Sequence, residues 1–289
     1  MKAVFNCGKL LAYMVENFLD QQRRINFGEY CRVNQIKHLL FDLDGTLGPT
    51  QDPFIKQMTA VCNYLAHTYS LNFNDCEKSL KRANNEGFKT HFVNPKRWYY
   101  AMSQVTEELD MPQEALGVSL ALLAQIYTIP IPIYGDAARF LGFSTRVGMP
   151  RYIVTHAGVG SNDPDKEYAW TDRKYDWMGL ARFGIHRRRH IYIANADEPK
   201  GPGWQKACDY FGIDPATCMD VGDSPDSDTN PAGAIGMRSY LVNRGRLWEP
   251  YNRPITHRTV RISGLDRLMD LGSLPEEAIG EILLPHPLG

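Results

Sequence analysis

Five short apolar runs, each closed by polar or glycine-containing sequence, constrain this 289-residue chain more than any other feature. Lys37-His-Leu-Leu-Phe41 leads into Asp42, Tyr152-Ile-Val154 into Thr155, and His190-Ile-Tyr-Ile-Ala194 into Asn195. Thr217-Cys-Met-Asp-Val221 leads into Gly222-Asp223, and Arg238-Ser-Tyr-Leu-Val242 into Asn243. All have strand length and are rich in branched or aromatic residues. Helical patterns separate or follow them, roughly over 136–147, 171–183, 204–211, 228–235 and 265–271. Thr171 is a plausible N-cap and Gly184 a plausible C-terminal stop for the second of these. Strands that alternate with helices build βαβ units, and so a parallel sheet covered on both faces.

One region breaks the alternation. Between Asp52 and about Ile129 the apolar spacing is helical throughout, over 54–68, 74–85, 102–109 and 113–127. Two proline-rich stretches bracket it, Gly48-Pro-Thr-Gln-Asp-Pro53 and Thr128-Ile-Pro-Ile-Pro-Ile-Tyr134, as suits stiff connections into and out of an inserted unit. The expected architecture is therefore α/β: a Rossmann-like, three-layer parallel-sheet core (35–50 and 133–289) with an α-helical cap domain inserted over 51–132. Residues 1–34 read as a helical extension whose apolar face carries Leu10, Leu11, Met14, Val15, Phe18 and Leu19. That face is expected to dock on the body; the alternative is a homodimer through this helix.

Charge lowers the rank of one class of function. Lys and Arg number 32 against 33 Asp and Glu, a net charge of -1, whereas a protein that grips nucleic acid through its phosphates should be more basic. No apolar run is long enough to span a membrane, and the N-terminal stretch has neither a cleavage pattern nor the acid-poor composition of a transit peptide. Six cysteines without a C-x-x-C pair signal neither a disulfide scaffold nor a structural zinc site, and fit reduced thiols in the cytoplasm. Neither a nucleic acid nor a membrane is expected as partner.

The chemistry concentrates where strands end. In a parallel sheet, ligands bind beyond the carboxyl ends of the strands, and Asp42, Thr155 and Asp223 all fall there. In Asp42-Leu-Asp-Gly-Thr46 the two acids alternate on extended chain and can face one cavity, while Gly45 permits a sharp turn. Such a pair can bind a divalent cation or divide into nucleophile and proton donor; a plain polar D-G turn is the alternative. In Val221-Gly-Asp-Ser-Pro-Asp-Ser-Asp228, Asp223 and Asp228 are placed for a hard, oxygen-preferring cation, with Asp226 a competitor. Asp228 could equally cap the helix that follows.

These motifs together resemble the haloacid dehalogenase superfamily of aspartate-nucleophile phosphotransferases. Its pattern places D-x-D-G-T after one strand, Thr or Ser after a second, a Lys before a helix, and G-D-x-x-x-x-D after a third strand. Here those are Asp42 to Thr46, Thr155, Lys200 and Gly222 to Asp228, in the family's order, across about residues 37–271. The resemblance implies that Asp42 attacks phosphorus to give an aspartyl-phosphate, and that Asp44 protonates the leaving oxygen and then deprotonates the hydrolytic water. It implies a Mg²⁺ site from Asp42, Asp223 and the backbone carbonyl of Asp44, with Asp228 in support. Thr155 would hold phosphoryl oxygens, and Lys200 would neutralise their charge and orient Asp42. His156 stands where Asn is common after the Thr and is a candidate phosphate contact, or else a solvent-facing loop residue.

Departures and rivals complete the reading. Lys200 is followed by Gly201-Pro202 rather than directly by proline; Lys174 and Lys166 are its rivals. A basic stretch (Lys81, Arg82, Lys89, His91, Lys96, Arg97) beside Trp98, Tyr99 and Tyr100 reads as a solvated helix face with core aromatics, or as a surface closing on an anionic or ring-bearing substrate. His186-Arg-Arg-Arg-His190 and Asn162-Asp-Pro-Asp-Lys166 read as surface and loop. Because dehalogenating members lack an acid at the position of Asp44, the expected activity is Mg²⁺-dependent hydrolysis of a small phosphorylated metabolite. A phosphomutase and a non-catalytic binding protein on the same fold are the alternatives.

Overall fold

The computed structural model describes residues 27–156, 169–244, 255 and 259–269. Six parallel strands form one sheet: β1 His38–Phe41, β2 Arg151–His156, β3 Ile191–Ala194, β4 Cys218–Gly222, β5 Arg238–Val242 and β6 Thr259–Ile262. Their order is β3-β2-β1-β4-β5-β6, so the chain builds outward from β1 to one edge, then returns to lay β4 on β1's other side. Leu40 opposes Tyr152 on one flank and Asp220 on the other. Five strands lie where the apolar runs place them. The sixth, Thr-Val-Arg-Ile, is too short and too polar to stand out.

Side-chain alternation along β1 divides the core into two layers. Leu39 and Phe41 face one side, with Ile153, Val221 and Tyr240; Leu40 faces the other, with Val154 and Cys218. Against the first side pack α1 (Phe27–Val33), α6 (Gly135–Arg146) and α7 (Ala169–Met178); against the second pack α9 (Gly203–Phe211) and α10 (Asn230–Ala234). A single turn, α8 (Arg187–His190), precedes β3. Trp204 is fully buried at the centre of the second layer, its indole N–H donating to the Ser227 carbonyl at 2.9 Å.

Between β1 and α6 lie four further α-helices and no strand: α2 (Gln51–Tyr69), α3 (Phe73–His91), α4 (Lys96–Glu108) and α5 (Gln113–Ala124). The two proline-rich connections run side by side. The Tyr134 N–H donates to the Leu47 carbonyl at 2.8 Å, and a Cβ on Gly48 would fall 2.8 Å from the Pro132 carbonyl.

Three local expectations need correction. The described end of the presumed extension is core: Phe27 is fully buried and meets Phe140 edge-on at 5.4 Å. The stripe from Leu10 to Leu19 lies outside the described residues. Thr171 sits inside α7 and its hydroxyl donates to the His156 carbonyl at 3.4 Å, while Gly179 at φ +62° ends that helix before Gly184. Asp228 falls in a wide π-type turn, Pro225–Thr229, ahead of α10.

Asp220, fully buried within β4, accepts from the Ser239 hydroxyl, while its Oδ2 has no hydrogen-bond partner among the described residues. Burial raises this carboxyl well above its ordinary 3.8. The folded state then binds the proton more tightly than the unfolded, so stability falls as pH rises from the ordinary value towards the raised one. Asp220→Asn removes that loss. In urea unfolding, the variant's stability relative to wild type should grow as pH rises above the ordinary carboxylate value; a pH-independent difference would show that Asp220 folds ionised.

Candidate active site

The sheet reverses its direction of growth between β1 and β4, and a crevice opens where the loops leaving those two strands separate. The Asp42 N–H donates to the Val221 carbonyl at 2.9 Å, locking the end of β1 to β4. Beyond Asp42 the chain turns at Gly45, whose φ of +81° is costly for residues with a Cβ; its N–H donates to the Gly48 carbonyl at 2.9 Å. Arg244 braces the turn, donating to the Thr46 carbonyl at 2.9 Å while pairing with Asp136 at the start of α6.

Acidic side chains from β1 and β4 meet in this crevice. Asp42, Asp223 and Asp228 are all buried, with oxygens within 4.8 Å of one another. Gly222 makes this possible, since an added Cβ would come within 2.3 Å of the Asp228 Cβ. The Ser224 N–H donates to Asp228 Oδ2 at 3.0 Å. Lys200, buried just before α9, binds Asp42 Oδ1 and, at 2.6 Å, Asp228 Oδ1. Burial alone would lower the Lys200 pKa, but the Asp228 and Asp42 charges outweigh it and raise it. Burial raises the Asp42 carboxyl; Lys200 opposes the shift, and Asp228 and Asp44 add to it.

Asp44 is held separately. Both its oxygens accept from Lys174 Nζ at 2.7 Å, and Oδ2 faces the Thr155 hydroxyl at 3.4 Å. Lys174 is fully buried on α7, with its ammonium 4.1 Å from the Trp170 ring centre. The rival to Lys200 thus has its own partner. Sequence pattern gave no sign of this, because nothing fixes which acid a helix lysine meets. Thr155, also fully buried, sits behind Asp44 rather than on the open cavity. His156 lines the cavity and donates through Nε2 to the Glu198 carbonyl at 3.0 Å. Burial, then the Lys200 charge, lower its pKa to about 4, so at neutral pH the imidazole carries no charge. Lys166 and the Asn162–Lys166 loop lie outside the described residues.

Above the carboxylates is a cavity of about 800 Å³, within the range of small-molecule sites. Its floor is Asp42, Asp44, Asp223, Asp228 and Lys200; its walls include Phe54 and Met58 from α2, Trp98 from α4, and Trp170.

A family model for haloacid dehalogenase-like hydrolases matches residues 36–236. No curated protein matches. Among solved structures, a haloacid dehalogenase-like family hydrolase from Xanthomonas campestris is similar over 86% of this chain and 91% of its own, at 15% identity and a TM-score of 0.61. A Bacillus subtilis protein named as a HAD-hydrolase, bound to magnesium, is similar over 81% of this chain and 96% of its own, at 15% identity and a TM-score of 0.58. A Thermotoga maritima protein assigned as a beta-phosphoglucomutase covers 81% and 97%, at 12% identity and a TM-score of 0.54. At such identities the likeness is one of fold.

Removing a cation from a buried ionic cluster leaves uncompensated charge. Lys200→Met should therefore destabilise the protein by about 3–5 kcal/mol in urea unfolding with EDTA present. A loss under about 1 kcal/mol would show that the carboxylates do not depend on that ammonium.

Proposed function

The chain belongs to the haloacid dehalogenase-like hydrolases, and from that premise we propose that it is a Mg²⁺-dependent phosphomonoester hydrolase acting on a small phosphorylated metabolite, with residues 51–132 as its cap domain. Asp42 attacks phosphorus through a carboxylate oxygen, and the bond to the leaving oxygen breaks. Asp44 gives that oxygen a proton. Water, deprotonated by Asp44, then attacks the aspartyl-phosphate, freeing inorganic phosphate and regenerating Asp42. Lys200 neutralises charge on the phosphoryl oxygens and keeps Asp42 aimed, and Lys174 with Thr155 fixes the direction of Asp44.

The single observation that carries this reading is the second acid. Asp44 opens onto the same cavity as Asp42 and is clamped by Lys174. Carbon–halogen cleavage needs no proton donor for its halide, whereas an alkoxide leaves far more readily when protonated.

The carboxylates also fit a divalent cation. Asp42 Oδ2 is buried without a hydrogen-bond partner among the described residues, beside two further carboxylates, and hard oxygen donors suit Mg²⁺. Asp42, Asp223 and the Asp44 backbone carbonyl would hold it, with Asp228 in support. When bound, Mg²⁺ offsets the repulsion between an anionic nucleophile and an anionic phosphate. The magnesium-bound Bacillus subtilis structure is consistent with this ion. The described cysteines are buried and free of disulfides, which supports a reducing, cytoplasmic setting; no described helix is long and apolar enough to cross a membrane.

Phosphate release from a panel of phosphomonoesters, run with Mg²⁺ and with EDTA, tests the reading. EDTA should abolish turnover. Asp42→Asn should fall to background with its melting transition retained, and Asp44→Asn should lose about 10²–10⁴ in kcat. Wild-type turnover by Asp42→Asn removes Asp42 as nucleophile. Halide release from 2-haloacids without phosphate release would make the protein a dehalogenase, and isomerised sugar phosphate without free phosphate a mutase.

A further inference from the structure

Arg97 stands apart from every other cation of the helical insert. Lys81 pairs with Glu77 at 2.8 Å, Lys89 with Glu86 at 2.7 Å, and Arg82 with Glu108, all on exposed ground. Arg97 is only 7% exposed and has no carboxylate partner among the described residues. Its Nη1 donates to the Phe92 carbonyl at 3.1 Å, and its buried Nε has no acceptor. Its guanidinium carbon lies 4.6 Å from the Trp98 ring centre, 5.4 Å from Phe54 and 5.7 Å from Phe88. Burial lowers its pKa, with Tyr127 opposing. A guanidinium remains charged at neutral pH even so.

This side chain lines the same cavity as Asp42 and Lys200. It stands in the first turn of the 13-residue α4, whose opening N–H groups are already taken by Asn94 and Pro95, so any anion bound here depends on the guanidinium itself. A planar guanidinium on the cavity wall, stacked among aromatic rings and without a carboxylate partner among the described residues, is a ready receptor for a carboxylate or phosphate. Sequence alone grouped Arg97 with its exposed neighbours; burial separates them.

We infer that Arg97 is a specificity-determining residue that receives a second anionic group of the substrate, a carboxylate or a second phosphate, at the end of the molecule remote from the ester phosphate. The body between the two anions would lie against Phe54, Met58 and Trp98. This assignment rests on the phosphatase reading for the ester end only, and its test needs no turnover.

Calorimetric titration of the full-length protein with Mg²⁺ uses benzylphosphonate, its ortho, meta and para carboxylated forms, and xylylene bisphosphonates. Wild type should bind at least one probe bearing a second anionic group about tenfold or more tightly than benzylphosphonate, which fits one added charge-assisted contact. The carboxylate and phosphonate arms separate the two anion types. Arg97→Met should lose the preference, and Arg97→Lys should keep part of it. Equal affinities across the whole series in wild type would overturn the inference, as would a preference that survives in Arg97→Met. Because the wild-type comparison stands alone, a variant that fails to fold does not blunt the test. Phosphonate binding without phosphate release would fault the catalytic reading while leaving Arg97's role intact.

Discussion

The structure depends on how it manages three carboxylates buried within 4.8 Å of one another. Like charges at that separation, away from water, oppose folding unless positive charge joins them. Lys200 supplies part of it, reaching from the segment before α9 to Asp42 just beyond β1 and Asp228 beyond β4. The ammonium thus links segments remote in sequence. It also explains why Gly222 has no side chain, since the Asp228 carboxylate occupies that space. The strand order makes the meeting possible. Only with β4 against β1 do both acidic motifs leave the sheet at one point.

A second arrangement sits beside the first. Asp44, two residues beyond Asp42, is turned towards Lys174 and Thr155 instead of Lys200. Two acids close in sequence are thereby given different neighbours, which in the proposed mechanism keeps the nucleophile and the proton carrier distinct. The helical insert leaves and re-enters the core beside the same turn, and Asn94 donates to Asp197 at 2.6 Å, tying the insert to the core beyond β3. In the proposed mechanism this insert excludes water and selects substrate.

Much of this was legible in the sequence, and the rest was hidden for physical reasons. The five apolar runs place five strands because a fully buried strand must be apolar along its length, and Leu39, Leu40 and Phe41 are indeed fully buried. The acidic motifs and Lys200 come together as strand-end position suggests. β6 escaped because Thr259 and Arg261 make it look like an edge loop, and the partners Lys174–Asp44 and Arg244–Asp136 escaped because local pattern carries no information about long-range pairing. Arg97 was visible only as one member of a basic stretch that a solvated helix face would equally explain. The other cations of its basic stretch are solvated, and only the packing of α4 beside Phe54 and Phe88 separates it from them.

Anomalous scattering from crystals equilibrated with Mn²⁺ in place of Mg²⁺ tests the central claim most directly. The account places one ion in bonding contact with oxygens of Asp42 and Asp223, adjacent to Lys200. A fully occupied Mn²⁺ site elsewhere on the molecule, with none at these carboxylates under saturating metal, would contradict it.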